Sequence, residues 1–241
     1  MKKAFVLLTA LLWLLGISAS ADGVLVMATN PEFPPFEYME GENIEGLDVD
    51  LAIEIAKDLG MELFIESMAF DSIIAAVKTL KADVGIAGMS ITDERLNSVD
   101  FSVPYFDASQ VCIIIAGSGI ASNEDLMGKK VGVQLGTTGD IAASEMTDDV
   151  VRYQKGLDAI LELQSNKLDA VVLDKPVAEN ILKSINNDKL VIAHGIIFEE
   201  ESYAIAVAKN RPELLESINN TIARIYADGT MELITAKYFG D

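Results

Sequence analysis

The sequence predicts an α/β fold built from two successive units. Short apolar runs of strand type alternate with segments whose apolar residues recur at helical spacing, beginning at Val24. The alternation restarts after Gly117, and two apolar runs, 110–116 and 203–208, frame the second unit. Strands that alternate with helices form parallel sheets flanked by helices. Two chain crossings at the framing runs would place a hinge and a cleft between the units.

The first 21 residues are predicted to be a secretory signal peptide. Lys2 and Lys3 form a positive start, an apolar run covers positions 4–17, and Ala19-Ser20-Ala21 matches the small-x-small pattern of a cleavage site. The apolar run is shorter than the roughly 18 residues of a membrane span, which argues against an uncleaved anchor. We therefore expect an exported protein, in the periplasm or on the extracellular face of the cytoplasmic membrane.

The composition disfavours several classes of function. A formal charge of −20 at pH 7 argues against nucleic acid and anionic membranes as partners. His194 is the only histidine and Cys112 the only cysteine. A Ser-His-Asp triad, a His-rich metal site and an intrachain disulfide are therefore not expected, and Cys112 is predicted to be a small buried residue. We expect no metal, no cofactor and no catalytic residue.

The first unit is predicted to contain three strands, over 24–29, 61–67 and 83–86, with two helices between them. The first helix has apolar residues at helical spacing from position 49 to 56, with Asp48 as candidate N-cap and Gly60 as its end. The second helix begins at Phe70 and Asp71. Its predicted apolar face consists of Ile73, Ile74, Val77 and Leu80.

The second unit repeats the alternation. Strands are predicted over 130–134, 150–153 and 168–173, with a short helix over 123–128 before them and helices after each strand. An amphipathic helix then runs from Pro212 to Ile225, and a final short helix ends near Phe239.

The loop after the first strand contains two aromatic residues held by prolines. Pro31, Pro34 and Pro35 stiffen the segment 30–36. Phe36 is predicted to lie in the core. Phe33 directly follows the end of a strand, where open α/β sheets bind their ligands.

The turn over 87–95 combines groups that can hold a carboxylate. Gly88 allows close approach of the backbone, Ser90 and Thr92 carry hydroxyls, and Thr92 is a plausible N-cap for the helical turn that contains Arg95. An arginine pairs bidentately with a carboxylate, and a helix start adds N–H donors. The alternative is a surface turn in which Arg95 pairs with an acidic neighbour, Glu94 or Asp93.

Two further turns lie between a strand and a helix. The turn over 136–139 carries the hydroxyls of Thr137 and Thr138 but lacks the ending of a phosphate loop, so nucleotide binding is not expected. Asp174 follows a buried strand and is either an N-cap or an acceptor for an ammonium group. If Arg95 and Asp174 lie on opposite sides of a cleft, they match the two charges of a free α-amino acid.

Seven segments, taken together, carry a family resemblance: NPEFPPFEY (30–38), GLDVDL (46–51), FD (70–71), DVGIAGMSITDER (83–95), VDFSVPY (99–105), VGVQLGTTG (131–139) and LDAVVLD (168–174). Over residues 22–241 the chain resembles the periplasmic polar amino-acid substrate-binding proteins of ABC importers, which are type II periplasmic binding proteins. The resemblance implies two lobes, each a mostly parallel sheet flanked by helices, with two hinge crossings. Residues 22–109 and 205–241 would form lobe 1, and residues 110–204 would form lobe 2.

The resemblance also implies roles for individual residues. Arg95 would hold the ligand carboxylate, helped by Gly88, Ser90 and, from the other lobe, Thr138. Asp174 would hold the amino group. The rings of Phe33 and Phe70 would stack on the ligand side chain. The predicted ligand-binding residues are Asn30, Phe33, Phe70, Gly88, Met89, Ser90, Arg95, Gln134, Thr137, Thr138 and Asp174.

The implied function is capture of a free polar amino acid by a monomer, which then delivers it to an ABC permease in the membrane. Relatives often have Asp where this chain has Asn30, which weakens the case for lysine or arginine and leaves glutamine-like or other polar side chains open. An alternative is an enzyme on the same scaffold, similar to cyclohexadienyl dehydratase, which would need a positioned acid or base in the cleft. A receptor ectodomain is a third possibility and would need a second transmembrane segment.

Overall fold

The structure is a computed structural model that describes residues 23–240. The predicted signal peptide therefore lies outside the described residues. Within residues 23–240, no helix combines the length and the hydrophobicity that crossing a membrane requires.

The described chain alternates between strands and helices. The strands are β1 (Val24–Thr29), β2 (Glu32–Phe33), β3 (Glu37–Glu40), β4 (Asn43–Glu45), β5 (Glu62–Ser67), β6 (Val84–Gly85), β7 (Asp100–Phe101), β8 (Phe106–Ile115), β9 (Val131–Gln134), β10 (Val150–Tyr153), β11 (Ala170–Asp174), β12 (Leu190–Ile192), β13 (Glu200–Tyr203) and β14 (Ala206–Val207). The helices are α1 (Leu47–Leu59), α2 (Ile73–Lys78), α3 (Asp93–Leu96), α4 (Thr138–Met146), α5 (Gly156–Gln164), α6 (Lys175–Ile185), α7 (Pro212–Ala227) and α8 (Thr230–Phe239), with 3₁₀ turns at Phe70–Ser72 and Asn123–Leu126.

Two separate sheets carry the fold. The first has the strand order β5-β1-β6-β14-β7, and the second has the order β10-β9-β11-β8-β12. In each sheet three adjacent strands are parallel, as the alternation of strands and helices predicts. The remaining strands of each sheet pair antiparallel. A small three-stranded sheet, β2-β3-β4, was not predicted. The α/β fold class is confirmed.

The long strand β8 connects the two sheets. Its first half pairs antiparallel with β13, from Phe106 opposite Tyr203 to Ser109 opposite Glu200. Its second half pairs with β11 and β12 inside the second sheet. The chain thus leaves the first sheet along β8 and returns along β13. The predicted lobe boundaries after residues 109 and 204 stay predictions, although both positions lie at or next to this ladder.

Two predictions about helix ends are wrong. Asp48 is the second residue of α1 and not its N-cap, since Gly46 occupies that position and the Asp48 side chain is fully buried. Leu80 does not belong to the apolar face of α2, which ends at Lys78. Leu80 adopts a left-handed conformation (φ 59°) and is 49% exposed. The predicted end of α1 at Gly60 is confirmed by its left-handed φ of 66°.

An aromatic cluster packs against the crossing strands. The ring of Phe36 lies 4.9 Å from Phe106, 5.1 Å from Tyr203 and 5.5 Å from Phe239, measured between centroids. Edge-to-face packing of this kind adds about 1 kcal/mol per pair to the burial of the rings. The predicted core position of Phe36 is confirmed. Cys112 is also buried as predicted, and burial raises the pKa of its thiol to about 12.

Replacing Gly46 with alanine is expected to destabilise the fold strongly. Gly46 has φ 139°, and a Cβ atom there would lie 1.9 Å from the backbone oxygen of Phe36. Because that oxygen accepts a hydrogen bond from Asp48 N at 3.0 Å, it cannot move aside freely, and we expect a loss on the order of 3 kcal/mol or more. Equilibrium unfolding in urea measures the loss.

Gly41 provides the matched control. It also has a positive φ of 64°, but nothing lies within 4 Å of its added Cβ atom. The variant Gly41→Ala should therefore lose only about 1 kcal/mol, from its backbone conformation. Equal losses in the two variants would contradict the steric explanation.

Candidate ligand-binding site

The ends of strands from both sheets meet at one polar junction. Asn30 and Phe33 follow β1, and the segment 87–95 follows β6, both in the first sheet. Gln134 ends β9 and Asp174 ends β11, both in the second sheet. The carboxyl ends of strands are where open α/β sheets bind ligands, and here two such edges face each other.

Arg95 links the two sides of the junction. Its Nη1 donates to the backbone oxygen of Ser90 at 2.6 Å, and its Nη2 donates to the backbone oxygen of Gly136 at 3.0 Å. The predicted cap is confirmed, because Arg95 N donates to Thr92 Oγ1 at 3.2 Å. The guanidinium also lies 5.3 Å from the centroid of the Phe70 ring. Arg95 thus points into the junction and not along the surface.

Burial lowers the pKa of Arg95, while the carboxylates of Asp174 and Glu201 oppose that shift. A guanidinium has five N–H donors, and the two contacts with backbone oxygens leave further donors for an anion.

Asp174 occupies the N-cap position of α6, but its side chain makes no capping hydrogen bond. It is only 3% exposed, and its Oδ1 accepts a hydrogen bond from the hydroxyl of Tyr203 at 2.5 Å. Burial raises the pKa of Asp174 to about 6, against the hydrogen bond from Tyr203, which lowers it. Of the two predicted interpretations, the structure excludes side-chain capping. A buried carboxyl group free of capping can accept hydrogen bonds from a cation.

Ser90 and Thr138 meet at a residue that the sequence reasoning missed. Both hydroxyls donate to Glu201 Oε2, and the distance from Thr138 Oγ1 is 2.7 Å. Gln110 Nε2 donates to Thr138 Oγ1 at 3.1 Å. Glu201 was hidden in a run of three glutamates, 199–201, which resembles a solvated surface. The available signal was strand alternation, because Glu201 lies two residues before the buried Tyr203 and therefore on the same face.

Asn30 and Gln134 form a second connection between the two sides. Gln134 Nε2 donates to Asn30 Oδ1 at 3.0 Å, and Asn30 Nδ2 donates to the backbone oxygen of Met68 at 2.9 Å. Gln134 Oε1 is buried and has no hydrogen-bond partner among the described residues. At the rim, Lys155 Nζ lies 2.6 Å from Glu32 Oε1. The junction therefore offers amide oxygens as acceptors next to its charged groups.

Gly88 and Phe33 are in direct contact. Gly88 has φ 52°, and an added Cβ atom would lie 2.6 Å from the ring of Phe33, so only glycine fits. The backbone N–H of Gly88 donates to Asp48 Oδ2 at 2.7 Å. This hydrogen bond leaves the carbonyl group, and not the N–H, as the backbone contact that Gly88 can offer.

Two predicted residues have their side chains engaged elsewhere. Met89 is fully buried and packs in an apolar cluster that includes Phe70. Thr137 caps α4, since its Oγ1 accepts from Asp140 N at 3.2 Å and donates to the backbone oxygen of Gln134 at 2.9 Å. Both residues lie next to the junction, and their role as ligand contacts stays a prediction.

A buried pair of carboxyl groups below Gly88 was also missed. Glu37 and Asp48 are both 0% exposed, and neither oxygen of Glu37 has a hydrogen-bond partner other than the neighbouring Asp48. Burial, followed by the charge of Asp48, raises the pKa of Glu37 well above its usual range. Burial raises the pKa of Asp48 to about 6, against hydrogen bonds from Gly88 and Tyr105 that lower it. A proton shared between the two carboxyl groups would pair one oxygen of each and leave the second oxygen of Glu37 without a partner among the described residues.

Within the described residues, no group of three or more His, Cys, Asp or Glu side chains could hold a metal ion. The polar groups of the junction are instead suited to an organic ligand with both charges. Two α/β sheets joined by an antiparallel crossing, with a polar junction between them, define the class of two-lobe ligand-binding proteins.

The chain belongs to the bacterial extracellular solute-binding proteins, family 3, whose family model matches residues 25–241. It is 35% identical over 229 residues to the arginine-binding extracellular protein ArtP of Bacillus subtilis, covering 92% of this chain and 88% of ArtP. It is also similar to an ancestral arginine-binding protein solved with arginine bound, at 42% identity and a TM-score of 0.85, covering 91% of this chain and 100% of that one. An ancestral arginine-binding protein solved with glutamine bound matches at 42% identity and a TM-score of 0.85, covering 90% of this chain and 98% of that one. The predicted family is confirmed.

The variant Glu37→Gln is expected to lose less stability than the wild type as the pH rises. The raised pKa values of Glu37 and Asp48 mean that the folded state holds protons that the unfolded chain releases at lower pH. These protons stabilise the folded state at pH values below the pKa values that the two groups have in the unfolded chain. The stabilisation is lost as the pH rises through their pKa values in the folded state, by up to about 1.4 kcal/mol per pH unit for one proton. Urea unfolding of both proteins between pH 5 and pH 9 measures how steeply the free energy of unfolding of each falls with pH.

Glu40→Gln is the control for this comparison, because Glu40 lies on the same strand and is exposed. The free energy of unfolding of this variant should fall with pH as steeply as that of the wild type. A Glu37→Gln slope equal to that of the wild type would show that the buried pair does not titrate in this range.

Proposed function

We propose that this protein captures a polar α-amino acid between its two lobes and delivers it to an ABC permease in the membrane. The lobes would be residues 22–109 with 205–241, and residues 110–204. The observation that carries the proposal is that Arg95 and Asp174, from different sheets, reach the same buried junction with opposite charges. The ligand carboxylate would pair with Arg95, and the ligand ammonium would pair with Asp174.

The mechanism is capture without chemistry. A ligand that contacts both lobes stabilises their closed arrangement by its difference in affinity between the open and closed states. Burying both charges of a zwitterion is costly unless each is paired and hydrogen-bonded. The opposite charges of Arg95 and Asp174 supply that pairing. We also propose that the protein has no enzymatic activity, is exported and acts as a monomer.

Among polar amino acids we propose arginine as the first ligand and glutamine as the second. Gln134 Oε1 lacks a partner among the described residues, and Asn30 Oδ1 accepts a hydrogen bond at the same place. Amide oxygens accept hydrogen bonds from a guanidinium or from an amide NH₂ group. The pair Glu37 and Asp48 keeps a negative charge beside Gly88 even when it shares one proton, and that charge favours a cationic side chain. The neutral Asn30 keeps an acceptor where relatives often carry a charge.

The proposed function is tested by the thermal stability of the protein with each of the twenty amino acids. A ligand that binds only the folded state adds about 2.7 kcal/mol of stability at one hundred times its dissociation constant. Arginine should give the largest increase in the unfolding midpoint and glutamine a smaller one. If no amino acid raises the midpoint, the proposed function is wrong.

The variants Arg95→Lys and Asp174→Asn should both lose binding and keep their fold. Lysine retains the charge but not the planar fork that pairs with a carboxylate, and asparagine removes the negative charge opposite the ammonium group. In Asp174→Asn the ligand ammonium is left without its buried partner, which costs about 3 kcal/mol, or more than a hundredfold in affinity. Arg95→Lys loses the second of the two parallel hydrogen bonds to the carboxylate. Titration calorimetry with arginine measures the loss, and circular dichroism checks the fold.

Arg211→Lys is the matched control, because Arg211 forms a surface ion pair with Asp83 at 3.1 Å, away from the junction. Its affinity should equal that of the wild type. Affinity retained by either site variant would remove that residue from the proposed site.

A further inference from the structure

Glu201 makes the contacts that the proposed function reserves for the ligand carboxylate. Its Oε2 accepts from Ser90 Oγ on the side of the first sheet and from Thr138 Oγ1 on the side of the second. A hydroxyl group has a single proton to donate. While both hydroxyls donate to Glu201, neither can donate to a second carboxylate.

The position of Glu201 in the fold lets it reach both sides. It lies on β13, the strand that pairs with β8 where the chain crosses between the sheets. Successive side chains of a strand point to opposite faces, so Glu201 shares the face of Tyr203, whose hydroxyl bonds Asp174. The backbone of Tyr203 also bridges to Ser90. The carboxylate is therefore held at the junction by the hinge strand itself.

The charge of Glu201 acts on the two proposed anchors. It stabilises the charged form of Arg95 and raises the pKa of Asp174. A ligand carboxylate at the same place would have the same two effects. Two carboxylates could not share this position, because like charges at hydrogen-bonding distance repel each other strongly.

We propose that Glu201 is an internal competitor for the carboxylate subsite, holding the two lobes together through Ser90 and Thr138 until a ligand carboxylate displaces it. This inference rests on the proposed function for the identity of the displacing group. The closed arrangement that Glu201 supports competes with the arrangement that accepts a ligand. Glu201 would therefore lower the affinity for amino acids, which must displace it from Ser90 and Thr138, more than the affinity for ligands without a carboxylate.

The structure provides space for the displaced side chain. A cavity of about 550 Å³ lies beside the crossing strands, and its lining includes Glu201, Glu200 and Lys175. Lys175 is exposed and lines the same cavity as Glu201. A rotation of the Glu201 side chain toward this cavity would free both hydroxyls and keep the carboxylate hydrated or next to a cation.

The test compares Glu201→Ala and Glu201→Gln with the wild type by titration calorimetry. Losing the competitor should tighten arginine binding about fivefold, the effect expected for the net strength of its hydrogen bonds. Agmatine, which is arginine without the carboxylate, should gain less affinity than arginine does. Glu213→Gln, in the first turn of α7 and exposed, should change neither affinity.

Two results would overturn the proposal. Arginine binding that is unchanged or weaker in the Glu201 variants would mean that Glu201 does not compete. Tightening by the same factor for arginine and agmatine would mean that the effect does not involve the ligand carboxylate. If Glu201→Ala does not fold, Glu201→Gln decides, because it keeps the shape and removes the charge.

A measurement without amino acid separates this inference from the proposed function. Small-angle X-ray scattering of the protein alone should give a larger radius of gyration for Glu201→Ala than for the wild type and Glu213→Gln. If no variant or wild type binds arginine, the proposed function fails, while the scattering still decides whether Glu201 holds the lobes together. Equal radii would refute the holding role.

Discussion

The antiparallel ladder between β8 and β13 is the constraint on which the rest of the structure depends. It is the stretch where the chain crosses between the two sheets, since β8 pairs with β13 at one end and with β11 and β12 at the other. The ladder orients the two sheets so that the ends of β1 and β6 face the ends of β9 and β11. It also delivers Tyr203 and Glu201 to the space between them. Every polar contact across the junction depends on this alignment.

The junction concentrates ionisable groups that a protein interior normally excludes, and the structure compensates them locally. Tyr203 donates to Asp174, while Tyr105 and the Gly88 N–H donate to Asp48. Buried charges without such partners would be strongly destabilising. The hydrogen bond from Gly88 also connects Asp48 to the segment 87–95. The charge state of Asp48 is therefore coupled to the position of the backbone of that segment. The same tyrosines pack in the aromatic cluster around Phe36, which joins the polar junction to the core.

Local patterns in the sequence predicted the features that interactions between near neighbours in the chain determine. Thr92 was found as a cap because its hydroxyl acts within its own helical turn, and Phe36 was found because an apolar ring beside a strand has few alternatives to the core. Asp48 was assigned to a helix start for the same reason, and that was wrong because tertiary hydrogen bonds from Gly88 and Tyr105 draw the side chain inward. Strand alternation could have placed Glu201 on the face of Tyr203, but not its contacts, since its partners lie 111 and 63 residues away in the chain. The turn patterns indicated Arg95 and Asp174 as candidate charges and the family resemblance assigned their roles, whereas their meeting depends on the crossing strands.

The amide contact between Gln134 and Asn30 bears on which ligand side chains the site would exclude. An aliphatic side chain placed between these two residues would separate the amides and form no hydrogen bond with either of them. The buried amide donors and acceptors would then have no partners. Sites built on such groups reject molecules that lack the matching polar atoms far more sharply than apolar pockets distinguish a missing methyl group. If the proposed site is the binding site, leucine and valine would be excluded by the cost of leaving these amides unpaired, without any steric barrier.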